Sequence, residues 1–198
     1  MFGNHHPPGP MNARYTPALA LTAVLSLVGW MAADVPLSFA TGGTVTIEGT
    51  SNVHGWTCAA ERFTGTGDGT PTASGLTALS ALTVTVPVAQ IDCGNRTMNG
   101  KLRDALLATT APTVRFVLSN ATVSNRTMTA NGQLTIAGQT RPVRITAQGQ
   151  PVSGNRFRFT GTVPLLMSQY GIRPPTAMMG TMRTRDAVTI RFDVTLTR

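Results

Sequence analysis

A chain of 198 residues, 12% of them charged and with mean hydropathy just above zero, can build one domain with a real core and excludes disorder and coiled coil. Sixteen basic residues, all arginine except Lys101, stand against eight acidic ones, so the net charge of +8 favours anionic surfaces. The arginines neither cluster nor alternate with stacking aromatics, which argues against nucleic acid and leaves a solvated basic face or an anionic membrane surface.

Residues 1–40 read as an extension and an export signal. Arg14 precedes an apolar stretch from Ala18 to Val28, and small residues follow as far as Ala33 and Ala40. The opening MFGNHHPPGP fits no part of such a signal, which makes Met11 a candidate start. The apolar run is shorter than the roughly 20 residues a bilayer core requires, so cleavage is expected, after Ala40 or alternatively after Ala33. Residues 41–198 then form the exported domain, in the periplasm or outside the cell.

Past that point, apolar and polar residues alternate with period two, the pattern of strands with one face turned to a core. Val45 and Ile47 open the series, followed by Leu82, Val84, Val86 and Val88, and by Val114, Phe116 and Leu118. Leu134 and Ile136, Val143 and Ile145, then Phe157, Phe159, Gly161, Val163 and Leu165 continue it. Val188, Ile190, Phe192, Val194 and Leu196 close it. Turn residues at Gly65 to Gly69, Ser124-Asn125, Asn131-Gly132, Ala137-Gly138 and Ser153-Gly154-Asn155 separate the runs. Seven or eight one-sided strands on short connections make a sandwich or a closed barrel; closure removes the edges, and a barrel is expected.

One stretch breaks this rhythm. Asn99 to Ala108 puts Leu102, Ala105 and Leu106 on one helical face, with Asn99 as a candidate N-cap and Pro112 beyond the end. Such a helix could cover one mouth of the barrel. Cys58 and Cys93 are the only cysteines, and an even pair in an exported domain points to a disulfide.

Residues able to do chemistry are few. His54 is the one histidine after the leader and cannot by itself hold zinc. The scattered carboxylates suggest no acid/base pair, and no glycine-rich phosphate loop opens a helix. The pattern therefore predicts a binding protein rather than an enzyme, with no cofactor and no metal.

The segments GTSNVHGWTC (49–58), VPVAQIDCGNRTMNGKLRDAL (86–106), LTIAGQTRPV (134–143) and MSQYGIRPPTAMMGTMRTRDAVTIRFDV (167–194) together resemble the YceI-like family, in the family's order. The resemblance implies an all-β, eight-stranded antiparallel, lipocalin-like barrel in the periplasm, closed at one end by the short helix and holding a polyisoprenoid. The Tyr170 to Met178 block and the Cys58/Cys93 pair look like a subgroup, so the ligand of this chain need not be that of better-known members.

The inward set is almost free of charge and rich in medium-sized valine, which suits a vacant apolar lumen. The expected lipid contacts are Val45, Ile47, Val84, Val86, Phe116, Leu118, Leu134, Ile136, Val143, Ile145, Phe157, Phe159, Val163, Leu165, Ile172, Met178, Ile190 and Phe192. His54, Trp56, Tyr170 and Arg173 are the candidates for a polar headgroup. A long-chain isoprenoid or quinone-like lipid is the expected partner. An accessory role in a membrane redox system handling quinone or haem is the alternative, haem requiring an axial ligand such as His54 or a methionine.

Overall fold

The computed structural model describes residues 1–3 and 33–198. The expected apolar signal stretch lies outside these residues. The described residues hold twelve strands, one α-helix and three short 3-10 turns. Among them β1 is Val35–Phe39, β2 Thr44–Ser51, β3 Gly55–Ala60, β4 Thr64–Thr72 and β5 Gly75–Pro87. The two-residue β6 (Ile91–Asp92) leads to helix α1 (Arg96–Ala105), and β7 (Thr113–Ser124), β8 (Thr127–Ile136), β9 (Gln139–Val152) and β10 (Arg156–Leu166) follow as a meander. A short β11 (Thr176–Ala177) precedes the long β12 (Met182–Thr197).

Eight of these strands form an antiparallel ring in the order β1-β4-β5-β7-β8-β9-β10-β12, and β12 returns to β1. It is not a regular barrel. β1 meets β12 only at Ser38↔Thr197 and Phe39↔Leu196, while the N-terminal part of β12 pairs with β2, which carries β3 and β6 as an extra wall. The alternation that predicted the strands also fixes their faces. The hairpin β9–β10 turns on Gly154 and Asn155 at φ of 76° and 56°, and β8–β9 on Ala137 and Gly138 at 48° and 77°, the left-handed geometry tight hairpins require.

Val35–Phe39, which a cut after Ala40 would remove and the alternative cut after Ala33 would keep, is a ring strand with Leu37 only 2% exposed. Three expectations are corrected. Gly65 to Gly69 is not a turn but the middle of β4. A Cβ at Gly65 would stand 2.4 Å from the Thr83 carbonyl oxygen and from the Phe39 ring, so the glycines let neighbouring chain close in. Asn131-Gly132 likewise lies inside β8. The helix starts earlier than Asn99: the Asn95 side chain caps it by accepting from the Thr97 and Met98 N–H groups, and Asn99 instead ties down the preceding segment.

The ring interior divides along its length. At the end carrying the β4–β5 and β9–β10 turns, Leu37, Leu76, Leu79, Met128, Phe157, Phe159 and Leu196 form one packed cluster, beside a more polar cleft of about 290 Å³ that Leu76, Val123, Phe157 and Phe159 also line. Phe192, Leu82 and Leu118 touch both this cluster and the next, formed by Phe116, Leu134, Ile136, Val163, Leu165, Tyr170 and Ile172. The ring of Phe192 lies across Gly161, where a Cβ would stand 2.5 Å from it. Beyond that partition the interior opens.

Candidate functional site

The opening is an apolar cavity of about 200 Å³ between the β2–β3 wall, the N-terminal half of β12 and helix α1. Val45 and Ile47 reach it from β2, Trp56, Cys58 and Ala60 from β3, Val86 from β5 and Val188 and Ile190 from β12. The apolar face of α1 supplies the last wall through Met98, Leu102, Ala105 and Leu106. No charged side chain is buried there; Lys101 lines the rim and donates from Nζ to the Thr176 carbonyl oxygen at 2.8 Å.

The helix is fastened over the cavity at its N-terminal end. Cys58 and Cys93 form a disulfide between β3 and the segment entering α1, and both line the cavity. Asn99 accepts the Cys93 N–H through Oδ1 and donates through Nδ2 to Asp92 Oδ1, each at 2.7 Å. That Asn99 amide, with the Gly94 N–H, holds the Asp92 carboxyl below its ordinary pKa.

The polar groups at the cavity are sparse. Ser51 donates from Oγ to the His54 carbonyl at 2.9 Å, and His54 Nδ1 lies 2.7 Å from the Gly55 carbonyl, leaving the imidazole at the exposed rim. Tyr170 is 2% exposed and its hydroxyl is pushed above the usual phenol range by burial, against a smaller opposing pull from Arg141, so it stays neutral. Trp56 Nε1 is the one buried side-chain polar atom among the described residues without a hydrogen-bond partner. Its indole lies over Gly49 on the paired strand, where a Cβ would come 2.2 Å from Cζ2. Among the described residues no three His, Cys, Asp or Glu side chains gather where they could hold a metal ion.

Of the residues expected to touch ligand, Val45, Ile47, His54, Trp56, Val86, Ile136, Leu165, Tyr170, Ile172 and Ile190 line the cavity. Val84, Phe116, Leu118, Leu134, Val143, Ile145 and Val163 face inward but pack against one another in the core beneath it. Phe157 and Phe159 belong to the cluster at the other end of the ring, and Phe192 to the partition. Arg173 points to solvent because its neighbour Ile172 takes the inward side, and Met178 is 71% exposed on a left-handed turn; neither reaches the cavity. The expectation missed Met98, Leu102, Ala105 and Leu106, although their shared helical face was visible in the spacing, and it missed Ile91, Val114, Met167, Met182 and Val188.

The sequence model of one family, the YceI-like domain, matches residues 32–196. Among curated proteins no sequence matches the chain. Three solved structures share the fold. BcnA of Burkholderia cenocepacia has a TM-score of 0.62 at 22% identity, covering 77% of this chain and 95% of its own. A polyisoprenoid binding domain from Saccharophagus degradans, implicated in plant cell wall breakdown, has a TM-score of 0.62 at 13% identity, covering 81% and 97%. The Campylobacter jejuni YCEI protein has a TM-score of 0.59 at 20% identity, covering 70% and 82%.

Proposed function

The chain belongs to the YceI-like family, and on that premise we propose that it is an exported binding or carrier protein for a lipid-like amphiphile, an isoprenoid or quinone-type molecule. The observation that carries this reading is the cavity itself, a hydrocarbon-walled space of about 200 Å³ reached past a rim that holds the few polar groups. Covering a dozen methylene groups of a tail would contribute on the order of 10 kcal/mol before the costs of association. The tail occupies the space bounded by Ile47, Val86, Leu102 and Ile190, and the polar end lies towards Ser51, His54 and Lys101. A neighbour in fold is described as a polyisoprenoid binding domain, which is the same class of cargo.

The reading is of binding without turnover. His54 is held by its own turn at the rim, and the neighbouring Ser51 hydroxyl donates to the His54 carbonyl rather than to the imidazole, which is not the pairing of a nucleophile with its base. The disulfide suits an oxidising compartment such as the periplasm. Among the described residues no helix is long and apolar enough to cross a membrane. Native mass spectrometry and organic extraction of the purified chain test the proposal. A co-purifying lipid, or one-to-one uptake of an added isoprenoid quinone, is expected. Repeated recovery of empty protein that takes up neither quinone nor isoprenoid refutes it.

A further inference from the structure

The β2–β3 turn and the loop between β11 and β12 stand together beside the cavity and are locked to each other through one side chain. Asn52 donates from Nδ2 to the Thr181 carbonyl at 2.8 Å and accepts the Arg183 N–H through Oδ1 at 2.8 Å, while its own N–H donates to the Arg183 carbonyl at 3.1 Å. Their tips carry the most exposed large apolar side chains of residues 33–198: Val53 at 63%, Met178 at 71% and Met179 at 107%. Met178 and Met179 hold φ of 50° and 54°, a region unfavourable to any side-chain-bearing residue, and the result is two thioethers turned away from the protein. The same segments turn Ser51, His54, Met182 and Thr184 towards the cavity.

Within the two segments the charge has one sign, and the acids that bound them, Glu48 and Asp186, are engaged by Arg191 and by Ser168. Residues 171–185 contain Arg173, Arg183 and Arg185, all exposed, and no acid; residues 49–58 contain no acid either. Three apolar side chains are far too small a patch for a stable protein interface, which needs roughly 800 Å² from each partner. They suit a bilayer, where a few apolar side chains enter the interface while arginines meet anionic headgroups. We infer that this rim is a docking surface for an anionic lipid bilayer, which sets the cavity mouth against the membrane. The inference rests on the carrier reading for its purpose, since lipid could then pass between bilayer and cavity without crossing water.

Hydrogen exchange of the full chain, read by mass spectrometry with and without vesicles, tests it. With phosphatidylcholine vesicles containing about one quarter phosphatidylglycerol, peptides covering 50–56 and 173–184 become protected, and added salt weakens the effect. Pure phosphatidylcholine gives little protection. The double variant Val53→Ser/Met179→Ser needs about tenfold more vesicle for the same protection, while its melting temperature and its uptake of an isoprenoid quinone stay unchanged. Vesicle association without protection of those two segments, or equal protection by neutral vesicles, overturns the inference. Protein that protects its rim on anionic vesicles yet takes up no lipid supports the docking surface and sinks the carrier reading instead.

Discussion

Replacing both half-cystines, Cys58→Ala with Cys93→Ala, removes the covalent tie between β3 and the entry to α1 while leaving the other fastenings of the helix in place. The bridge closes a loop with a sequence separation of 35, for which the chain-entropy model gives a stabilisation of about 4 kcal/mol. In a domain of this size each kcal/mol moves the midpoint by roughly 2–4 °C, so a drop of about 10 °C is expected. Thermal unfolding followed by far-ultraviolet circular dichroism measures it. The Asn95 cap, the Asn99 bonds and the Lys101 contact keep α1 formed, so helical signal persists below the transition. Because both sulfurs also line the cavity, release of bound quinone becomes faster in the variant, read by transfer to excess vesicles. A midpoint lowered by less than about 3 °C, with release unchanged, would refute the claim that this bridge holds the cavity wall.

Three further outcomes follow from particular contacts. Gly49→Ala forces the Trp56 ring to move, since the new Cβ would stand 2.2 Å from Cζ2; a loss of about 1–3 kcal/mol in urea denaturation and an altered near-ultraviolet spectrum are expected, and an unperturbed spectrum contradicts the packing. Asp193 accepts the Arg158 Nε–H at 2.7 Å, and that bond lowers its pKa. The ion pair therefore contributes above the ordinary carboxylate range, about pH 4, and is lost as pH falls through the lowered value; both partners are about half exposed, so the effect is about 0.5 kcal/mol or less, and Asp193→Asn flattens that part of the acid limb. A chain begun at Asp34 folds, while one begun at Thr41 lacks β1 and the buried Leu37. Loss of that side chain alone costs about 2–5 kcal/mol of a total near 5–15, so the shorter chain shows no cooperative melt; equal melting of the two would remove β1 from the ring.

What the sequence could and could not convey follows from the length scale of each signal. Alternation is written by covalent geometry two residues at a time, so the inward faces of β2, β5, β7, β10 and β12 were legible before any pairing was known. Depth along the ring was not. Phe159 and Leu165 share one face of β10 about 20 Å apart along the strand, yet the alternation is the same at both and does not tell that the first joins an aromatic cluster and the second a cavity. Composition misled where residues served two ends. The glycines of β4 look like a turn, because nothing local announces that neighbouring strands will press against them.

The same distinction separates the aromatic cluster of the far end from the apolar cavity of the near end. On the neighbouring strand β9, Pro151 stands opposite Phe157 and Gly149 opposite Phe159, and a Cβ at Gly149 would stand 2.8 Å from the Phe159 ring, which packs in one cluster with Phe157 and Ala147. At the near end Cys58, Ala60, Val86 and Ile91 form a small cluster against which Ile47 and Trp56 pack, and the cavity is left between these walls and Ile190. Helix α1 covers that gap without entering it, because its apolar face ends in Leu102, Ala105 and Leu106 and carries no aromatic ring. Ala105→Phe is therefore expected to fill the cavity and to lower uptake of an added isoprenoid quinone in native mass spectrometry, and undiminished uptake would place the binding space elsewhere.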